Sequence, residues 1–162
     1  RLAGAMPQCR VVLDTSGAAL DSALRDPVPG LAVLRMDGGE ARRASGLALE
    51  SHADAADFAQ ALARRGVARR VLIARGAEGN ILATAEARMM VRTPAVPERS
   101  RVGAGDSFVA GFVLAMARGE GDAKALALGA AAAAAAVMTE ATQLCRAEDV
   151  RRILPQVTRR DI

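Results

Sequence analysis

Short apolar runs alternate with longer segments of helical periodicity along most of this chain. Residues 10–13 (RVVL) form a continuous apolar run that stops at Asp14, followed by Thr15-Ser16-Gly17, which reads as a buried strand and a turn. Residues 18–24 predict a short helix, ended by Asp26-Pro27 and Pro29-Gly30. A second strand is predicted at 31–34 (LAVL), and Asp37-Gly38-Gly39-Glu40 then reads as a loop or the start of a helix. Over residues 53–65, Ala56, Ala59, Leu62 and Ala63 share one helical face with Phe58 beside it, and Gly66 ends the pattern. Residues 71–74 (VLIA) predict a third buried strand running into Gly76-Ala77-Glu78-Gly79. A hairpin is predicted from 81–84 and 88–92 around Ala85-Glu86, and Pro94 and Pro97 bracket an extended linker. Helices at about 105–118, 122–138 and 147–157 complete the pattern.

Strands alternating with helices predict an α/β fold, a mainly parallel sheet with helices on both faces. Ligands of such sheets bind beyond the carboxyl ends of the strands. Asp14, Asp37, Gly76 and the loop at 103–106 each follow a strand or an extended segment, so they are expected on one edge.

Composition narrows the function classes. The 162 residues are 51% hydrophobic, enough to bury the core of one domain. Net charge is only +4, the arginines are spread along the chain, and Phe58, Phe108 and Phe112 are the only aromatics. That balance argues against nucleic-acid binding, which needs a basic patch and, for single strands, stacking aromatics. Cys9 and Cys145 have neither metal-site spacing nor a disulfide framework and read as thiols of a reducing cytoplasm. The first residues lack a long apolar stretch, and the longest apolar run, 130–138, is far short of the ~20 residues that span a bilayer, so no membrane partner is expected. The alanine run 130–136 reads as close helix packing. His52, the only histidine, precedes a helix and reads as a cap neighbour. Arg64, Arg65, Arg69 and Arg70 read as a solvated helix end.

The chemistry lies in residues 100–112, SRVGAGDSFVAGF. Gly103 and Gly105 expose backbone N–H groups at the start of a helix, an arrangement that holds anions. Asp106, in the first turn, can take a proton from an alcohol while those amides hold charge on a phosphoryl group. An ordinary tight turn with Asp near a helix start is the alternative from the local pattern. No third glycine completes a dinucleotide fingerprint, and no Gly-Lys-Ser/Thr follows to make a P-loop.

These residues resemble the signature of the ribokinase-like (phosphofructokinase-B type) carbohydrate kinases, whose loop reads Gly-Ala-Gly-Asp. Leu13-Asp14-Thr15-Ser16-Gly17 is similar to the Asp-Ser-Ser-Gly turn of their minor-type bacterial 6-phosphofructokinases. Residues 71–79 (VLIARGAEG) are similar to a strand ending in Ser-Leu-Gly-x-x-Gly, and Thr142-Gln143-Leu144-Cys145 to a late Thr-x-Leu-Cys segment. The resemblance implies a three-layer α/β/α fold and covers the C-terminal, nucleotide-binding and catalytic half of such a kinase, without the N-terminal half and its lid. The start at Arg1 rather than Met fits a missing N-terminal portion.

The resemblance implies ATP-dependent phosphorylation of a sugar phosphate. Fructose 6-phosphate is favoured; 1-phosphofructokinase and tagatose-6-phosphate kinase are the alternatives within the class. It makes Asp106 the base, with Gly103, Ala104 and Gly105 as the anion hole. Asp37, Ala74, Gly76 and Gly79, with Gly103 and Gly105, then bind the nucleotide, and Asp14, Asp37 and Glu40 serve Mg2+. A K+ site is implied near Ser100, Val102, Ala136, Thr139, Ala141 and Gln143, and a homodimer in the full-length protein. Arg35-Met36-Asp37-Gly38-Gly39-Glu40 departs from the family's Lys-Pro-Asn-x-x-Glu, and Ala74 replaces the serine of Ser-Leu-Gly. These departures motivate a rival reading, a non-catalytic remnant that binds nucleotide or a partner. Without the sugar-binding half, this stretch alone is expected to be inactive.

Overall fold

A computed structural model of the protein describes residues 9–141 and 143–162. The chain divides into two compact units. Among the described residues, one takes in those up to Arg75, Ile81–Met90 and Asp161–Ile162; the other comprises Gly76–Asn80 and those of Val91–Arg160. Six strands make one sheet in the order β1-β2-β3-β4-β5-β6.

In the first unit, β1 (Val12–Asp14), β2 (Val33–Asp37) and β3 (Arg70–Ala74) are parallel, with Asp14 opposite Arg35 and Asp37 opposite Ala74. Helix α1 (Gly17–Arg25) connects β1 to β2; α2 (Gly38–Ser45) and α3 (His52–Arg64) connect β2 to β3. Parallel neighbours need such crossovers. The core gathers Leu20, Leu34, Met36, Leu62, Val71 and Ile73, all buried, with the small residues Ala55, Ala56 and Ala59 of α3. Those alanines let α3 lie close to the sheet. His52 opens α3 behind its N-cap Ser51, as the sequence predicts.

β4 (Asn80–Ala83) and β5 (Arg88–Arg92) flank the expected turn at Ala85-Glu86, closed by Thr84 N–H donating to Ala87 O at 2.8 Å. In the second unit, α4 (Ala104–Ala117) and α5 (Asp122–Val137) cross closely. The crossing explains the alanine run: a Cβ on Gly111 would lie 2.9 Å from Leu128 O, and one on Gly129 2.9 Å from Phe108 O. Phe108 and Phe112 stack with ring centroids 6.1 Å apart and are buried. Alanines 131, 134 and 135 of α5 also pack around Ile153 of α6 (Ala147–Ile153).

Three elements differ from the sequence expectation. Helix α2 forms where a loop or helix start is predicted, because Asp37 and Glu40 cap it reciprocally. The last helix is shorter than 147–157: α6 ends at Ile153 and a single 3₁₀ turn, Leu154–Gln156, follows at Pro155, which lacks the N–H to continue an α-helix. The final strand β6 (Thr158–Asp161), wholly polar and exposed, carries no apolar alternation and is not predicted. Among the described residues no helix is long and apolar enough to cross a membrane.

Candidate active site

The glycine–aspartate loop lies in the second unit. Gly103 is the N-cap of α4 with φ 78°, ψ −1°, a left-handed conformation that suits glycine. A Cβ there would meet nothing within 4 Å, so conformation rather than crowding requires the glycine, and open space flanks the loop. No side chain caps the helix. Ser107 N–H donates to Gly103 O at 2.9 Å and Ala104 N–H to Arg101 O at 3.3 Å, whereas the amides of Gly105 and Asp106 have no acceptor among the described residues. Asp106 is exposed, and its carboxylate has no partner among the described residues. The next two residues, Ser107 and Phe108, are buried and anchor the turn. Free first-turn N–H groups and the helix dipole are features that favour an anion at this end, and a carboxylate stands beside them. Just upstream, Arg101 grips Glu98 through Nε at 2.6 Å and Nη2 at 3.2 Å, and its hydrogen bonds hold the Glu98 carboxyl below its usual range.

The Gly76–Glu78 turn belongs to the same unit. Gly76 has φ 58° and is exposed, while Gly79 is buried with φ 124° and donates its N–H to Gly76 O at 3.2 Å. Ala74 ends β3 in the first unit and offers no side-chain hydrogen bond to a ligand.

Asp14, Asp37 and Glu40 lie in the first unit, at the carboxyl ends of β1 and β2 and in the first turn of α2. Arg35 Nη1 lies 3.0 Å from both carboxylate oxygens of Asp14. Asp37 Oδ1 accepts from Glu40 N–H at 2.8 Å, and Glu40 Oε2 accepts from Asp37 N–H at 2.7 Å. These carboxylates therefore serve an ion pair and a helix cap. Among the described residues no group of three His, Cys, Asp or Glu side chains comes together to hold a metal. The three side chains expected from the sequence to serve Mg2+ are engaged in these protein contacts.

The late loop of the second unit is closed by Thr139. Its buried hydroxyl lies 2.8 Å from Ala136 O and 3.2 Å from Gln143 O, and Val137 O accepts from the N–H groups of Arg99 and Ser100. Ser100 Oγ accepts from Val102 N–H at 3.2 Å. The hydroxyl thus lies beside two carbonyls of the expected K+ site, Ala136 O and Gln143 O. An open cavity of about 360 Å3 adjoins this loop, lined in part by Pro97, Met138, Thr139 and Gln143. Thr142, part of the late sequence motif, lies outside the described residues. Sequence reasoning missed Arg35 and Thr139 as local organisers. The basic residue facing Asp14 becomes visible only with the strand register.

Residues 2–149 match the pfkB family carbohydrate kinases. The chain is 37% identical over 153 residues to a 1-phosphofructokinase of Xanthomonas campestris, covering 93% of this chain and 45% of that protein. It is 29% identical over 150 residues to the ATP-dependent 6-phosphofructokinase isozyme 2 of Escherichia coli, covering 93% and 48%. The crystal structure of phosphofructokinase-2 from Escherichia coli in complex with potassium superposes with a TM-score of 0.83 at 29% identity, over 90% of this chain and 47% of that one. The chain thus spans about half the length of these relatives. With the glycine–aspartate helix start, the ribokinase-like α/β arrangement and this match along most of its length, the chain belongs to the pfkB family of carbohydrate kinases.

Proposed function

We propose that this chain is the nucleotide-binding and catalytic part of a kinase that moves the γ-phosphoryl group of magnesium–ATP to a hydroxyl of a sugar phosphate. The observation that carries this reading is the exposed Asp106 carboxylate beside the uncommitted amides of Gly105 and Asp106. Asp106 takes the proton of the attacking hydroxyl. The new bond joins that oxygen to the γ-phosphorus as the bond to the β–γ bridging oxygen breaks, giving ADP and a sugar bisphosphate; the proton passes from Asp106 to solvent. The backbone at Gly103, Ala104 and Gly105 holds the charge on the transferred group. Gly76 and Gly79 supply a turn whose backbone a nucleotide can approach, and the end of β3 at Ala74 leads into it.

The acceptor is a fructose monophosphate. Fructose 6-phosphate follows from the motif resemblance; the 37% identity to a 1-phosphofructokinase favours fructose 1-phosphate as a second reading. A different class of reading, a nucleotide binder without turnover, draws on the commitment of Asp14, Asp37 and Glu40 to protein contacts.

The test uses protein expressed from its full reading frame. Magnesium–ATP raises its melting temperature, and it phosphorylates one of the two fructose monophosphates. Asp106→Asn lowers kcat by about a hundredfold or more while the melting temperature stays close to that of the parent. Unchanged turnover in that variant removes Asp106 from the chemistry. A nucleotide-dependent rise without turnover on either sugar favours the non-catalytic reading.

A further inference from the structure

We propose that Arg75 is a positioning residue for the ligand-binding ends of β2 and β3, acting through the loop that precedes α3; the proposal rests on the nucleotide-binding reading above. Arg75 directly follows the last residue of β3 and directly precedes Gly76. Its guanidinium reaches back to three successive carbonyls: Nη1 donates to Leu49 O at 2.7 Å and to Ser51 O at 3.4 Å, and Nη2 donates to Glu50 O at 2.8 Å. The planar fork of arginine can serve several acceptors at once; a lysine ammonium has no such fixed fan of donors.

The gripped loop is under strain. Leu49 has φ 47°, and among the described residues it is the only non-glycine with a positive φ. Its side chain is buried in the core of the first unit. A leucine keeps such a conformation only where its surroundings over-determine it, and here the core holds the side chain while Arg75 holds the carbonyl. The stem of Arg75 reaches the second site segment as well. Its Cγ is 3.8 Å from where a Cβ would stand on Gly38, and Ala74 O is 3.5 Å from that same point. Gly38 is the first residue of α2, between Asp37 and Glu40 of the cap. One side chain thus ties the loop at 49–51 to the strand end, and its stem packs at the start of α2. The guanidinium is already turned to backbone acceptors, so its contribution to the site is to hold backbone in place rather than to touch phosphate.

The experiment measures magnesium–ADP affinity, its salt dependence, thermal stability and amide hydrogen exchange in the full-length protein, for the parent, Arg75→Lys and Arg75→Met. Both variants are expected to weaken magnesium–ADP binding by about tenfold, with the salt slope unchanged. The Ser51 and Asp54 amides, bonded in the α3 cap, are expected to exchange faster. In the parent, magnesium–ADP is expected to slow exchange at those two amides.

Parent-like affinity in Arg75→Lys, with a loss and a shallower salt slope in Arg75→Met, would identify a direct phosphate contact and overturn the proposal. A lower melting temperature with unchanged affinity in both variants would reduce Arg75 to a stabilising residue and overturn it equally. If Arg75→Met fails to fold, Arg75→Lys, which keeps the charge and loses the fork, carries the test; parent-like affinity there refutes the proposal. A parent that binds no magnesium–ADP refutes the nucleotide reading itself, an outcome distinct from binding that ignores Arg75.

Discussion

Arg35 Nη1 sits equidistant, at 3.0 Å, from the two carboxylate oxygens of Asp14 on the neighbouring strand. Parallel register places the two residues side by side, and their side chains are only 14% and 31% exposed. Partial burial makes the pair costly to break from one side, because the surviving charge keeps its desolvation without its partner. Asp14→Ala is expected to destabilise the protein by about 1–2 kcal/mol. Adding Arg35→Met should return part of that loss. Urea unfolding of the two single variants and the double variant checks this, and simple additivity would show that the pair is not coupled.

Gly129 is expected to resist even the smallest enlargement. A methyl group there would stand 2.9 Å from Phe108 O and 3.2 Å from a carbon of the Phe108 ring. Alanine favours helices over glycine by about 1 kcal/mol, yet the α4–α5 crossing would have to open to admit it. A net loss of about 1–2 kcal/mol is expected for Gly129→Ala in chemical denaturation. A gain in stability would mean that the crossing yields easily.

Thr139 is expected to make the late loop independent of potassium. Its hydroxyl lies within hydrogen-bond distance of Ala136 O and Gln143 O. Melting temperatures in potassium and sodium chloride at equal ionic strength should agree, since an ion that bound only the folded state would raise one of them. Thr139→Val keeps the shape and removes the donor, at a cost of about 1–2 kcal/mol. A potassium-specific rise in the parent would show that the ion competes successfully for these carbonyls.

The cap of α3 gives a pH signature in acid. Hydrogen bonds from the Ser51 backbone and then its hydroxyl lower the Asp54 pKa, with a smaller contribution from the charge of Arg75. A carboxyl whose folded pKa lies below its unfolded value contributes stability that is fully present above the unfolded value. That contribution is lost as pH falls through the folded value. Asp54→Asn should therefore flatten the acid limb of the stability curve and leave the neutral-to-alkaline side parallel to the parent. Thermal melts across an acid-to-neutral series measure this, and an unchanged acid limb would contradict it.

The sequence made the strand–helix alternation and the loop at 103–106 readable because each rests on local signals. Apolar runs mark β1 to β3, and glycine before a first-turn acid marks the start of α4. Helix α2 was readable only in part. Its apolar stripe is reduced to the buried Ala41, and two glycines obscure it. The signal present was Glu40 three residues after Asp37, the spacing of a reciprocal cap. Strand β6 gave no signal, since it buries none of its side chains. The pairing of Arg35 with Asp14 and the grip of Arg75 on residues 49–51 depend on register and on contacts more than twenty positions apart, which local patterns do not encode.

The makeup of β6 carries a consequence for how molecules meet. A terminal strand of a sheet offers bare backbone groups to any passing strand, and Thr158–Asp161 takes that place with Arg159 and Arg160 at its centre. Two copies approaching rim to rim along this strand would set arginine against arginine. Like charge opposes that approach, and neutralising both arginines should make association along this strand easier.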